Sequence, residues 1–156
     1  MIAALFAAAL VSAPLQSDDM VRKVLTDVCL PHANGQSSRA AAELLGFVVS
    51  DEGDGVVNMV SSDENQAYLL RLSGDDDAED GDDTRACTLQ ARTTVFDSAR
   101  SAIRRPLEQA GFAAEATQPA NRPVWTRRGV TVSLRQNDGR ATVMRVTYSS
   151  LEAAGS

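Results

Sequence analysis

The chain has few of the side chains that most often carry catalysis or bind metal ions. It contains one histidine, His32, and two cysteines, and aromatic residues make up only 4% of its 156 residues. A catalytic triad or a histidine-rich metal site would therefore depend on His32 alone. The low aromatic content argues against a stacking surface for single-stranded nucleic acid. We accordingly expect no catalytic residue, no metal ligand, no cofactor and no nucleic-acid partner.

Sequence motifs of common enzyme families are missing as well. No Gly-x-Ser-x-Gly or Ser-x-x-Lys frame surrounds the serines. Gly53 and Gly55 stand close together, but their acidic neighbours would repel a phosphate group. The sequence therefore argues against both serine hydrolase families and nucleotide binding.

Long apolar runs are absent, apart from one at the start of the chain. Residues Ile2 to Val11 form ten consecutive apolar positions, which is the length of a signal-peptide core and too short to cross a bilayer. We expect residues 1–17 to be a signal peptide, cleaved after Ser17 or, as the alternative, after Ala13. A buried N-terminal helix is the other interpretation. Export predicts a periplasmic or secreted protein with no membrane anchor after cleavage.

The two cysteines fit an exported protein, because thiols usually pair in an oxidising compartment. We therefore predict a disulfide bond between Cys29 and Cys87. Closing so long a loop stabilises a fold by roughly 4 kcal/mol in the chain-entropy model. The alternative is a zinc site made of Cys29, His32 and Cys87, but it has no obvious fourth ligand.

Charge is distributed unevenly along the chain. Lys23 is the only lysine against fourteen arginines, a bias typical of GC-rich bacterial genomes. The net charge of −6 combines −12 for residues 18–84, with 16 acidic and 4 basic residues, and +6 for residues 85–156, with 5 and 11. Such polarity predicts that the two halves attract each other in the fold or, as the alternative, that one half presents a basic binding face.

Seven acidic residues crowd the nine positions from Asp75 to Asp83. An EF-hand needs a glycine at position 6 and a carboxylate at position 12 of its loop. Neither Gly81 nor Gly55 at position 6 gives a closing carboxylate, since Cys87 or Ser61 would stand there. We therefore expect a hydrated, mobile acidic loop, with calcium binding of another kind as the alternative. Such a loop would also attract a basic partner.

The second half supplies a set of arginines that we expect to form a solvated surface, with an anion-binding surface as the alternative. Some of them have acidic neighbours at helical spacing, as in Asp97 with Arg100 and Arg104 with Glu108, so ordinary surface ion pairs explain part of the set. The set comprises Arg100, Arg104, Arg105, Arg127, Arg128, Arg135, Arg140 and Arg145. Arg135 and Arg145 fall on the polar faces of adjacent predicted strands, where both can bind one carboxylate.

Apolar periodicity predicts three helices. The first runs from Ser17 or Asp18 and ends at Pro31, and the second begins after Ser37 or Ser38 and stops at Gly46. The third spans about Val95 to Ala110, and Pro106 inside it predicts a kink or a break near Arg105.

Six strands follow from short alternating runs bounded by turn residues. The predicted strands are Val56 to Val60, Ala67 to Leu72, Ala86 to Ala91, Val124 to Arg127, and the two arms of a hairpin about Asn137-Asp138-Gly139. The order predicts an α+β fold in which an antiparallel sheet of about six strands packs helices on one face. It also suggests an αβββ duplication. We assign residues 18–150 to a single domain and residues 151–156 to a flexible tail.

These features favour a binding protein over an enzyme. The leading hypothesis is an exported bacterial protein that binds another protein of the cell envelope or the medium. The alternative is a binder of calcium or a small ligand that uses the acidic loop at residues 75–83. A hydrolase that relies on His32 is the third hypothesis.

Overall fold

The computed structural model describes residues 17–75, 81–137 and 139–155. The expected signal peptide, except Ser17, lies outside these ranges, as do residues 76–80 at the centre of the acidic loop and Asp138 of the predicted hairpin turn. Within the described ranges, no helix is both long and apolar enough to span a membrane.

Helices lead each of two runs of four strands. The first run follows α1 (Ser17–Lys23), a π-helical turn (Val24–Cys29), α2 (Leu30–Ala33) and α3 (Arg39–Leu44), and contains β1 (Phe47–Gly53), β2 (Val56–Ser61), β3 (Tyr68–Asp75) and β4 (Thr84–Ala91). The second run follows α4 (Phe96–Gln109) and contains β5 (Ala113–Ala114), β6 (Val124–Arg127), β7 (Val130–Gln136) and β8 (Thr142–Ser149), before α5 (Ser150–Ala154).

All the strands listed above join one antiparallel sheet in the order β1-β2-β3-β4-β8-β7-β6-β5. Each run of four strands forms a meander, and the two meanders meet where β4 pairs with β8. The α+β class with one antiparallel sheet is confirmed, but the sheet has eight strands instead of about six. The two additional strands, β1 and β5, lie at its edges.

Strand β1 was not predicted because its residues become polar halfway along the strand. A bulge between Val49 and Asp51 also interrupts the alternation of its side chains. The missed signal was the following Asp54-Gly55 pair, whose positive φ angles of 50° and 72° make the tight turn that joins β1 to β2. Gly55 cannot be replaced freely, since a Cβ there would lie 2.8 Å from the carbonyl oxygen of Gly74. β5 has only two residues, too few for any periodic signal.

The core lies on one face of the sheet. Alternate residues of the central strands, such as Cys87 and Leu89 on β4 and Met144 and Val146 on β8, are almost completely buried there. The apolar sides of the helices cover this face with Val21, Val24, Leu25, Val28, Ala99, Ile103 and Leu107. The fold therefore buries one face of the sheet against the helices.

Neither proline ends its helix. The first helix continues through Pro31 to Ala33, and α4 continues through Pro106 to Gln109. Pro31 follows the π-helical turn, whose wider backbone accommodates the proline ring. In α4 the missing N–H costs one hydrogen bond, and burial of Leu107 just beyond it offsets that cost.

Cys29 and Cys87 lie at disulfide distance as predicted, with 5.2 Å between their Cα atoms. Both are completely buried, so the bond ties the π-helical turn to the middle of the sheet inside the core. The connection links the helical layer to β4, the strand that joins the two meanders.

The segment after residue 150, assigned to a tail from the sequence, contains α5. The Asp82 carboxylate accepts hydrogen bonds from the Ser149 and Ser150 hydroxyls and from the backbone N–H of Leu151. These contacts hold the start of α5 against the end of the β3–β4 connection.

We predict that the double variant Cys29→Ala/Cys87→Ala loses about 4 kcal/mol of unfolding free energy, because the unfolded chain gains the entropy of an open loop. Urea denaturation of the oxidised protein and of the double variant measures this difference. Removing both cysteines together avoids a lone buried thiol. Equal midpoints for the two proteins would contradict the prediction.

Candidate functional site

His32 ties the helical layer to the sheet. It lies in α2, half-buried, and its Nε2 atom is 2.8 Å from the carbonyl oxygen of Ser73 on β3. A carbonyl oxygen can only accept, so Nε2 carries the hydrogen in this contact. In the described ranges, no hydroxyl or thiol group is hydrogen-bonded to His32. The geometry therefore gives His32 a structural contact and supplies no observation that supports a hydrolase.

The alternative zinc site is inconsistent with the observed cysteine pairing. Cys29 and Cys87 are joined to each other, so neither offers the thiolate that zinc binds. Among the described residues, no group of three or more histidine, cysteine, aspartate or glutamate side chains is arranged to hold a metal ion.

The C-terminal end of the acidic loop belongs to the fold. Asp82 binds the start of α5, and Asp83 forms an ion pair with Arg85. Burial raises the pKa of the Asp82 carboxyl, but hydrogen bonds from Leu151, Ser149 and Ser150 outweigh this effect and keep the pKa below its ordinary value. The Asp82 carboxylate and Oδ2 of Asp83 are thus occupied by protein contacts, whereas Oδ1 of Asp83 is buried with no hydrogen-bond partner among the described residues. Residues 76–80 lie outside the described residues.

Arg85 shows how the fold uses an arginine on the buried face. Besides its ion pair with Asp83, it donates a hydrogen bond to the carbonyl oxygen of Ala33 at 3.0 Å. Its guanidinium also lies 4.9 Å from the centroid of the Tyr148 ring. The contacts of the Arg85 side chain therefore connect α2, β4 and β8.

The opposite face of the sheet, which we call the open face, has a different character. Its residues alternate with those of the core, and most are exposed or half-buried. Side chains with hydroxyl groups are frequent on it. They are Ser73, Thr84, Thr88, Thr126, Thr131, Ser133, Thr147 and Ser149.

Three arginines share the open face. Arg71 on β3 pairs with Thr88 on β4, which pairs with Arg145 on β8, so the two arginines stand two strands apart, or about 10 Å between Cα atoms. Arg135 on β7 is the diagonal neighbour of Arg145, about 7–8 Å away. We call Arg71, Arg135 and Arg145 the arginine cluster.

No member of the arginine cluster forms an ion pair among the described residues; the carboxylate of Asp51 on β1 shares their face but lies two strands from Arg71, beyond Asn58. The ion pairs found in the described ranges mostly join neighbours in the sequence on other surfaces, namely Asp19 with Arg22 and Lys23, Arg39 with Glu43 and Glu52, Asp97 with Arg100, and Arg104 with Glu108. Each of these pairs joins two residues of the same half of the chain. The expected attraction between the acidic and basic halves is therefore hardly seen among the ion pairs. The three arginines therefore share one exposed face of the sheet without an ion pair.

The sequence predicted part of this cluster. Arg135 and Arg145 do lie on one polar face of adjacent strands, as expected. Arg71 was overlooked because it belongs to the acidic half of the chain, although its alternation with Leu70 and Leu72 marked it as facing away from the core. The other candidate arginines lie elsewhere: Arg127, for example, donates to the Ala110 carbonyl oxygen and stacks on Phe112.

Apolar residues flank the arginine cluster on the open face. Val48, Val60, Leu69 and Val143 occupy one row across β1, β2, β3 and β8, interrupted by Gln90 on β4. Val48 is half exposed, whereas Val143 is almost covered by its neighbours. A row of apolar side chains beside a row of arginines and hydroxyls is a composition found in protein interfaces.

A cavity of about 510 Å³ lies at one end of the open face. Arg145, Thr147 and Ser73 line it from the strands, Asp54 from the β1–β2 turn and Glu152 from α5. A second cavity of about 390 Å³ lies on the other side of the sheet, beside His32 and Arg85. Two arginines, Arg85 and Arg145, and two carboxylates, Asp54 and Glu152, line the first cavity.

Comparison of the chain with protein-family models, with curated proteins and with solved structures found no match.

We predict that Asp82→Ala lowers the melting temperature by a few degrees at pH 7, because it removes the hydrogen-bond acceptor at the start of α5. The depressed pKa of Asp82 means that its contribution is complete above the unfolded value of about 3.9 and disappears as pH falls through the lower folded value. The difference between wild type and variant should therefore shrink in strong acid. Thermal unfolding followed by circular dichroism at several pH values measures it.

Asp51→Ala serves as the matched control for this experiment, since Asp51 is an exposed aspartate of β1 that caps no helix. A difference between Asp82→Ala and wild type that stays constant down to pH 2, or an equal loss in the control, would contradict the role assigned to Asp82.

Proposed function

We propose that this chain is an exported domain that binds an acidic protein through the arginine cluster on its open face. The observation that carries the proposal is the placement of Arg71, Arg135 and Arg145 on one exposed sheet face, with no carboxylate partner among the described residues. Three guanidinium groups without an ion pair favour an anionic partner, and long-range attraction would speed its approach.

The chemistry of the cluster favours carboxylates of a protein over isolated ions. Arginine presents a planar fork of donors that matches a carboxylate in two parallel hydrogen bonds. The neighbouring apolar row of Val48, Val60 and Leu69 would contact the apolar part of the same partner.

The size of the open face also fits a protein partner. Eight strands at a spacing of about 4.8 Å make it roughly 34 Å wide, and the strands extend roughly 20 Å along the other direction. The resulting area, on the order of 700 Å², is close to the roughly 800 Å² that each partner contributes to a standard interface. A small ligand would occupy a fraction of it.

Export is the second part of the proposal. The ten-residue apolar run from Ile2 to Val11 supports a signal peptide, and the Cys29–Cys87 pair supports an oxidising destination such as the bacterial periplasm or the medium. The partner would then be another protein of the cell envelope or a secreted protein.

We expect the triple variant Arg71→Gln/Arg135→Gln/Arg145→Gln to bind its envelope partner at least about tenfold more weakly, because three exposed ion pairs contribute roughly 0.5 kcal/mol each. The partner is captured from envelope extract on the purified disulfide-bonded protein, identified by mass spectrometry, and titrated by surface plasmon resonance. Binding of wild type should weaken in high salt.

The triple variant Arg92→Gln/Arg105→Gln/Arg122→Gln is the matched control. It removes the same number of exposed positive charges outside the arginine cluster and should bind like wild type. An equal loss of affinity in both triple variants would mean that net charge alone matters and would refute the proposed face. A captured partner that is basic at its contact surface would refute it as well.

A further inference from the structure

The cavity at the end of the open face has a floor made by four neighbouring strands. Val56, Ser73, Ala86 and Thr147 pair in register across β2, β3, β4 and β8, and together they form one row. The cavity of about 510 Å³ lies over this row. Its volume is within the range of pockets that bind small molecules.

Opposite charges stand at two corners of this floor. Arg145 lies two residues before Thr147 on β8, and Asp54 lies two residues before Val56, in the β1–β2 turn. Strand spacing and rise place their Cα atoms roughly 19 Å apart, so the charged groups, when both point inward, are separated by on the order of 10 Å. Arg85 and Glu152 also line the cavity, but Arg85 is held by Asp83 and the Ala33 carbonyl oxygen, and Glu152 lies at the start of α5, where its N–H donates to Ser149 Oγ.

Neither Arg145 nor Asp54 has a hydrogen-bond or ion-pair partner within residues 17–75, 81–137 and 139–155. Both line the cavity, and hydroxyl groups of Ser73, Thr84 and Thr147 lie between them. A cation, a carboxylate and intervening hydroxyls are complementary to a ligand with a carboxylate at one end, an ammonium group at the other, and peptide groups between them.

We infer that this cavity binds short peptides by their free ends, with the C-terminal carboxylate on Arg145 and the N-terminal amino group on Asp54. An extended chain covers about 3.4 Å per residue, so about three residues span on the order of 10 Å. A single amino acid is too short to reach both charges. This site lies at one end of the open face and shares only Arg145 with the arginine cluster.

The test is isothermal titration of the purified disulfide-bonded protein with trialanine, alanine, N-acetyl-trialanine and trialanine amide. Trialanine should bind at least about tenfold more tightly than each of the other three, since each lacks one end contact or the length to make both. Comparison of alanine with trialanine distinguishes a free amino acid from a peptide as the ligand. Equal affinities for the free and the capped peptides, tighter binding of alanine, or no binding of trialanine would overturn the inference.

Single variants test the contacts of the two peptide ends separately. Arg145→Gln should abolish the preference for a free carboxylate and keep the preference for a free amino group, and Asp54→Asn should do the reverse. Arg135→Gln, on the same face but outside the cavity, is the control and should bind trialanine like wild type. Loss of both preferences in one single variant, or loss of trialanine binding in the control, would contradict the assignment.

The variant Arg71→Gln distinguishes the two proposals, because it should weaken capture of the protein partner without affecting the binding of trialanine.

Discussion

The fold depends on burial of one face of the sheet. Strand alternation directs Cys87, Leu89 and their counterparts on neighbouring strands toward the helices, and every other residue toward the open face. The Cys29–Cys87 bond fastens the helical layer to that buried face. Because the core helices cover the buried side, the other side is left to water and is free of packing constraints. The arginine cluster and the cavity both exist on this unconstrained surface.

The one-sided core also explains how the two oppositely charged halves of the chain contribute to one surface. Arg71 comes from the acidic half, and Arg135 and Arg145 come from the basic half. Pairing of β4 with β8 brings β3, β8 and β7 close enough for these side chains to be neighbours. Net charge along the sequence therefore says little about local charge, which depends on which strands become adjacent and which face each residue occupies.

The features that depend on local sequence pattern were predicted correctly. The α+β class, the cysteine pairing, the helix stop before Gly46 and the β7–β8 pairing all follow from periodicity, turn chemistry and compartment. The edge strands β1 and β5 were missed because a bulge and a two-residue length leave no alternation to read. The full arginine cluster was missed because strand order is a long-range property: no pattern within β3 reveals that Arg71 stands two strands from Arg145.

The central claim is that the open face is the surface that meets a partner protein. A photo-crosslinking amino acid at Thr88, between Arg71 and Arg145 on the open face, tests it directly in intact cells, with the same probe at exposed Ser101 on α4 as the comparison. The account predicts a discrete adduct with an acidic protein from Thr88 and none from Ser101. An adduct from Ser101 alone, or none from either position, would contradict it.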